Sequence, residues 1–162
     1  MRSGSGRSGA RLRMVTDMAL LAELNEQVRE PFRAAYAAAD AEGYLALHDE
    51  GLIRAGGPRR VVQSYSDVVA ETVPFFADAR DRGTALSIEF RFLERLADGD
   101  LASERGIFRI GVGTDVSYGR FHTFCRRVDR RWRIVVDHDT AEGADEESFA
   151  AATAATDLSP TR

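Results

Sequence analysis

Between Thr16 and Asp40 the apolar residues Leu21, Leu24, Val28, Phe32, Ala35, Tyr36 and Ala39 recur at steps of three and four. That spacing predicts an amphipathic helix with one buried stripe. Pro31 lies within the pattern and predicts a kink, or two abutting helices, near Glu30. Asp40 reads as the N-cap of a second, short helix reaching His48. Leu52 to Ala55 reads as a short strand brought to an end by Gly56, Gly57 and Pro58. Ser64 starts a third helix, because Asp67 three residues on can return a capping bond, and Gly83 stops it. Its expected buried side is Val68, Thr72, Phe75, Phe76 and Ala79, and Pro74 predicts an irregularity.

From Thr84 the period changes from 3.6 to 2. Leu86, Ile88, Phe90 and Phe92 alternate with Ser87, Glu89 and Arg91, the pattern of an antiparallel strand buried on one face. Asp98-Gly99-Asp100 is a hairpin turn. Strands from Leu101 to Val112, Gly119 to Val128 and Trp132 to Asp139 follow, the last two joined by Asp129, Arg130 and Arg131. Helices first and a meander afterwards give an α+β fold, with the helices covering one face of a curved antiparallel sheet. The domain spans residues 16–140. Residues 1–15 are Gly/Ser/Arg repetition that cannot bury surface and read as a disordered segment. Residues 141–162, acidic and then Ala/Thr-rich, read as a flexible tail in which Glu146 to Ala155 forms a frayed helix.

Composition narrows the classes. The chain has 162 residues, 44% of them hydrophobic, enough for one domain with a real core. No apolar run approaches the ~18–20 residues that span a bilayer, and no apolar region follows the basic opening stretch as a secretory signal requires. Cys125 is the only cysteine, which rules out an intrachain disulfide and suits the cytoplasm. A net charge of −4 argues against nucleic-acid binding. All 22 basic residues are Arg, read as composition bias of the coding genome, so no single Arg is special for being one.

The segment DAEGYLALHDEGLIRAGG (Asp40 to Gly57), the closing hairpin GRFHTFCRRVDRRWRIVVDHDT (Gly119 to Thr140) and the turn in ADGDLASERGIF (Ala97 to Phe108) resemble the ketosteroid isomerase-like and nuclear transport factor 2-like superfamily, to which the SnoaL-like polyketide cyclases belong. The resemblance covers roughly residues 17–140. It implies a cone-shaped curved sheet wrapped around N-terminal helices, a cystatin-like α+β barrel. It also implies a homodimer through the outer face of the sheet. The function stays open, since the fold hosts isomerases, cyclases, dehydratases, epoxide hydrolases and binders that catalyse nothing. The isomerase's oxyanion-donating Tyr falls at Phe32, its proton-shuttling Asp at Gly56, and its second acid close to His122, so two of the three roles are empty and the isomerase mechanism is not expected.

A different polar set is expected to face the cone. His48 falls where some isomerases place a supporting Tyr, and Tyr36 is one helical turn beyond Phe32. Arg54 shares strand parity with Gly56, His122 and Phe124 share an inward parity, and His138 follows Trp132 and Ile134 inward. His122 and His48 are then candidate acid and base, and Tyr36, Arg54, Phe124 and His138 candidate ligand-binding residues. The competing reading makes the histidines core groups satisfied by backbone or by Asp49, Asp137 or Asp139. Arg54 either meets a carboxylate on a small hydrophobic ligand or pairs with Glu104 or Asp137. No spacing fixes a metal, none is expected, and no cofactor is expected. Cys125 reads as a small buried hydrophobe, and the Asp137-His138-Asp139 run as a solvated strand end. On the opposite parity Ile107, Phe121, Cys125 and Val135, beside Arg109 and Arg127, form the expected dimer patch. Two functions remain open: a cofactor-independent lyase, isomerase or cyclase using histidine acid–base catalysis, and a ligand-binding or dimer-forming module without catalysis.

Overall fold

The computed structural model describes residues 16–158; the expectation for residues 1–15 lies outside them. The first helix, α1 (Met18–Leu24), begins where the Asp17 carboxylate accepts hydrogen bonds from the amides of Ala19 and Leu20. A π-helical turn (Asn25–Arg29) leads into α2 (Glu30–Ala37). Leu24, Val28, Phe32 and Tyr36 are all buried, and their strict step of four drifts off one face of a helix with 3.6 residues per turn. The wide turn absorbs that drift. The Glu30 amide reaches back five residues to the Asn25 carbonyl, just before Pro31, which lies in the first turn of α2. The irregularity expected near Glu30 is this π turn.

Asp40 caps α3 (Ala41–Leu45) by accepting the Gly43 amide at 3.0 Å. Strand β1 (His48–Gly56) begins four residues earlier than its apolar core, and β2 (Val61–Ser64), unmarked by any sequence pattern, folds back on it. The capping box of Ser64 and Asp67 opens α4 (Tyr65–Arg82), which closes on Gly83 at φ +63°. Pro74 leaves α4 unbroken. It sits on the exposed face between Val73 and Phe75, where the carbonyl deprived of its donor faces water.

Strands β3 (Leu86–Asp98), β4 (Leu101–Val112), β5 (Asp115–Val128) and β6 (Arg131–Thr140) form the meander. The sheet has seven strands in the order β2-β1-β6-β5-β4-β3-β7, antiparallel throughout except for the parallel β1–β6 pair. Bulges in β3 and β6 help it curve around the helices. The core joins Leu24, Val28 and Phe32 to Phe76, Phe90, Phe92, Phe121 and Ile134. No helix among the described residues is long and apolar enough to cross a membrane.

The segment from residue 141 departs from the expected flexible tail. Helix α5 (Glu146–Ala151) packs against β4, and β7 (Thr153–Ala154) pairs with the edge of β3. Phe149 is buried beside Tyr118, with ring centroids 5.8 Å apart, under the Arg91 guanidinium. The Ala155 carbonyl accepts from Asn25 Nδ2 at 2.7 Å and from Arg95 Nη1 at 3.3 Å. One aromatic anchor and an open sheet edge thus give order to a stretch whose composition is otherwise that of a linker.

Candidate functional site

A cavity of about 530 Å³ opens between the helices and the concave face of the sheet. Its wall is mostly aromatic and aliphatic, with Phe32, Phe75, Phe76, Phe90, Phe108 and Phe121 among the rings. Gly119 makes room for one of them, since a Cβ there would lie 2.1 Å from the Phe108 ring. Tyr36, Tyr44, Arg54, Asp137 and Asp139 form a polar end. A deep apolar pocket with a few convergent polar groups is the usual form of a small-molecule site.

Asp139 joins β6 to β1. Its carboxylate accepts from Arg54 Nη2 at 2.7 Å and from the Gly57 amide. Gly56, at φ +132°, cannot carry a side chain here, because a Cβ would lie 2.5 Å from Asp139 Oδ1. The resemblance leaves the Gly56 position without its carboxylate; the fold fills the space beside it with a carboxylate from the neighbouring strand.

Asp137 also lines the cavity. Its Oδ2 is 3.9 Å from Arg54 Nε, a buried donor with no hydrogen-bond partner. Burial pushes the Asp137 carboxyl up to about 6; Arg54 opposes the shift and the Asp139 charge adds to it. Burial likewise raises the hydroxyls of Tyr44 and Tyr36, against the pull of Arg54. At the other side of the cavity Arg29, 1% exposed, is held by Glu104 through its Nε at 2.9 Å and Nη2 at 2.7 Å, and lies over the rings of Phe90 and Phe121. Arg95 Nε binds the other oxygen of Glu104 at 2.7 Å. Burial alone would raise the Glu104 carboxyl, but the two guanidinium groups outweigh it and hold it below the usual range.

Of the residues singled out from sequence, Tyr36 and Arg54 face the cavity, as expected. His48, His122, His138 and Phe124 are not among its lining residues. His48 is buried behind Tyr44 and Phe32, its Nδ1 donating to the Tyr44 carbonyl at 3.0 Å, and burial lowers it to about 4 despite that bond. In β5 the inward set is Phe121, Thr123 and Cys125, so His122 and Phe124 turn to the convex face. There His122 Nε2 lies 2.8 Å from Ser103 Oγ, its ring rests 4.5 Å from that of Phe124, and Phe124 is 42% exposed. The β6 parity changes at a bulge: Phe124 pairs with Val136 but Cys125 with Ile134, which leaves Val135 unpaired. Trp132 and Ile134 therefore point inward together with Asp137 and Asp139, while His138 faces outward, opposite His122.

The same register dissolves the expected dimer patch. Ile107 lies on the convex face at 1% exposure, on the strand that α5 covers, whereas Phe121 and Cys125 are inside. The Asp137-His138-Asp139 run is therefore no solvated strand end: Asp137 and Asp139 turn into the cavity beside Arg54, where Tyr44 and Arg29, which the sequence does not mark, join them. The alternation of Arg120 and Arg126 with Phe121 and Cys125 marks the outward side of β5 in the sequence, but nothing in the sequence marks the Val135 bulge.

No protein-family model matches the sequence, and no curated protein does. Solved structures do share the architecture. An NTF2-like protein of unknown function from Pseudomonas putida KT2440 matches with a TM-score of 0.64 at 18% identity, over 83% of this chain and 94% of that one. An NTF2-like protein of unknown function from Shewanella oneidensis MR-1 gives 0.60 at 16% identity, over 73% and 96%. An NTF2-like protein from Cytophaga hutchinsonii ATCC 33406 gives 0.59 at 13% identity, over 78% and 99%. What is shared at these identities is the fold.

Proposed function

On the premise that the chain is built on the NTF2-like fold, we propose that it binds a small, mainly apolar molecule in the cone, and that the acid–base group of the site is Asp137. The observation that carries this reading is one half-buried carboxyl on an aromatic-lined wall, reached by no hydrogen bond from the described residues and pushed up to about 6 by desolvation. A carboxyl so tuned gives and takes a proton near neutrality without a cofactor, as isomerisation, dehydration or cyclisation requires. This replaces the histidine pair expected from sequence. Arg54 is less suited to a ligand carboxylate than the sequence implies, because Asp139 already holds it.

A second reading, binding without catalysis, is favoured by that same pair: Arg54 and Asp139 are engaged with each other and with the β1 turn, a scaffold role. Both readings need an accessible cone. Native mass spectrometry of the purified protein, beside an Ile110→Trp variant that fills the cavity, tests it. A small-molecule adduct on the wild type alone is expected; the same adduct on both chains would place it elsewhere.

We also propose a homodimer through the convex face. Leu96, Ser103, Phe124, Val136 and Ile53 align across five strands, and Phe124 and Ile53 are 42% and 55% exposed.

A further inference from the structure

We propose that the arm formed by α5 and β7 is coupled to the cavity through the π turn, so that a molecule in the cone tightens the arm and release of the arm weakens binding in the cone. This rests on the reading of the cone as a ligand site and adds a regulatory element that lies outside it.

Arm and cavity share no residue: none of α5, β7, Asn25, Arg95 or Glu104 lines the wall. A continuous chain of hydrogen bonds joins them. The Ala155 carbonyl, directly after β7, accepts from Asn25 Nδ2 at 2.7 Å and from Arg95 Nη1 at 3.3 Å. Arg95 Nη2 donates to Asn25 Oδ1 at 2.6 Å, and Arg95 Nε to one oxygen of Glu104 at 2.7 Å. The other oxygen of Glu104 holds Arg29, which reaches on to the Thr123 hydroxyl and lies against Phe90 and Phe121 on the cavity wall. Asn25 and Arg29 are also the first and last residues of the π turn, so backbone and side chains link the same two points. Such wide turns recur at functional sites.

Burial makes the chain stiff. Arg29, Glu104 and Arg95 are all buried, so water does not replace a partner that moves. A buried polar network holds one arrangement only while each member is satisfied. With the arm released, the Ala155 carbonyl is gone, Asn25 and Arg95 turn to water, and Glu104 loses the neighbour that orients it. Arg29 then no longer holds Phe90 and Phe121 in one arrangement, and those rings are wall. The arm itself supplies the two states. Its hold is small: buried Phe149 and Ala152, the two-residue pairing of β7 with β3, and the bonds to Ala155. A helix of six residues does not persist alone, so α5 melts when the arm leaves, as a local opening of the fold. A molecule that binds the docked state more tightly must oppose release by the same factor.

The test uses the full chain and 2-acetylnaphthalene, an uncharged, mainly apolar probe. Its affinity is measured calorimetrically for wild type and for Phe149→Ser, which releases the arm. Hydrogen exchange is followed at the amides of Phe149 and Ala152, which bond within the arm. Binding is expected to be about tenfold weaker in Phe149→Ser, within the range of about 5–150-fold typical of coupled sites. Saturating probe should slow exchange at the two wild-type amides by that same factor. Asn25→Ala removes two of the three bonds among Asn25, Arg95 and the Ala155 carbonyl while leaving Phe149 in place, and the slowing should shrink. Equal affinity in wild type and Phe149→Ser, or exchange in α5 that ignores the probe, overturns the coupling and leaves the ligand site standing. Slowing in Asn25→Ala as strong as in wild type overturns the path through the π turn. Should Phe149→Ser fail to fold, exchange in the wild type decides by itself. No binding to wild type overturns both the coupling and the site.

Discussion

Glu104→Gln is the substitution whose effect the structure fixes best. Glu104 is fully buried and accepts hydrogen bonds from Arg29 Nε and Nη2 and from Arg95 Nε. The side chains of those arginines are 2% and 7% exposed, so neither finds water when the carboxylate goes. Breaking a buried ion pair by removing one partner typically costs about 3–5 kcal/mol, because a desolvated charge is left behind. The guanidinium–ring contacts, such as Arg95 4.1 Å from the Phe92 centroid, persist in the variant and do not offset that cost. At about 2–4 °C per kcal/mol for a chain of this size, the melting temperature should fall by roughly 6–20 °C. Circular dichroism melts at pH 7 are sufficient, with Glu94→Gln as control. Glu94 pairs with Arg105 at 3.2 Å on the exposed surface, where such a bond contributes about 0–1 kcal/mol. The sign with pH is fixed as well. The folded Glu104 carboxyl lies below its unfolded value, so its contribution is full above the ordinary Glu value and is lost as pH falls through the folded one. The gap between wild type and variant should therefore close in acid. A Glu104→Gln melt within 2 °C of wild type at pH 7 would refute the network as a determinant of stability.

Three further outcomes are expected. Ending the chain after Thr140 removes buried Phe149 and the two bonds to the Ala155 carbonyl, and should cost about 2–4 kcal/mol in urea unfolding; an unchanged midpoint would show that the tail packs for nothing. The folded Asp137 carboxyl is raised, so its ionised form is a penalty fully present above about pH 6 and absent below the ordinary Asp value. Asp137→Asn should then melt higher than wild type at pH 8 and no higher at pH 4, and the reverse order would contradict the burial of that charge. Light scattering should give a dimer mass for wild type and a monomer mass for Phe124→Asp; a monomeric wild type would remove the convex-face interface.

The elements were legible wherever local chemistry decides them. Asp40 and the Ser64–Asp67 pair cap helices as their side chains dictate, and Gly83 ends α4 in the left-handed region that glycine adopts freely. The period-2 pattern of β3 and the turn at Gly99 gave the meander. The site was less legible, because a half-buried strand is read by parity and one unpaired residue reverses it. The bulge at Val135 moved His138 out and brought Asp137 and Asp139 in, and it depends on pairing with β5 rather than on β6 itself. In β5 both parities carry an aromatic residue, Phe121 on one and Phe124 on the other, and only the flanking arginines separate them. Arg29 reaches the cavity from the π turn, where it is buried next to Val28, and a charged residue there breaks the apolar stripe from which the sequence reads a buried face.

Assigned nuclear magnetic resonance spectra of the full chain, recorded during titration with 2-acetylnaphthalene at pH 6, test the cavity most directly. The account predicts shifts concentrated at Tyr36, Tyr44, Phe90, Phe108 and the Asp137 amide, with His122, Phe124 and His138 unmoved. Shifts concentrated at the three convex-face residues, with the cone silent, would contradict it.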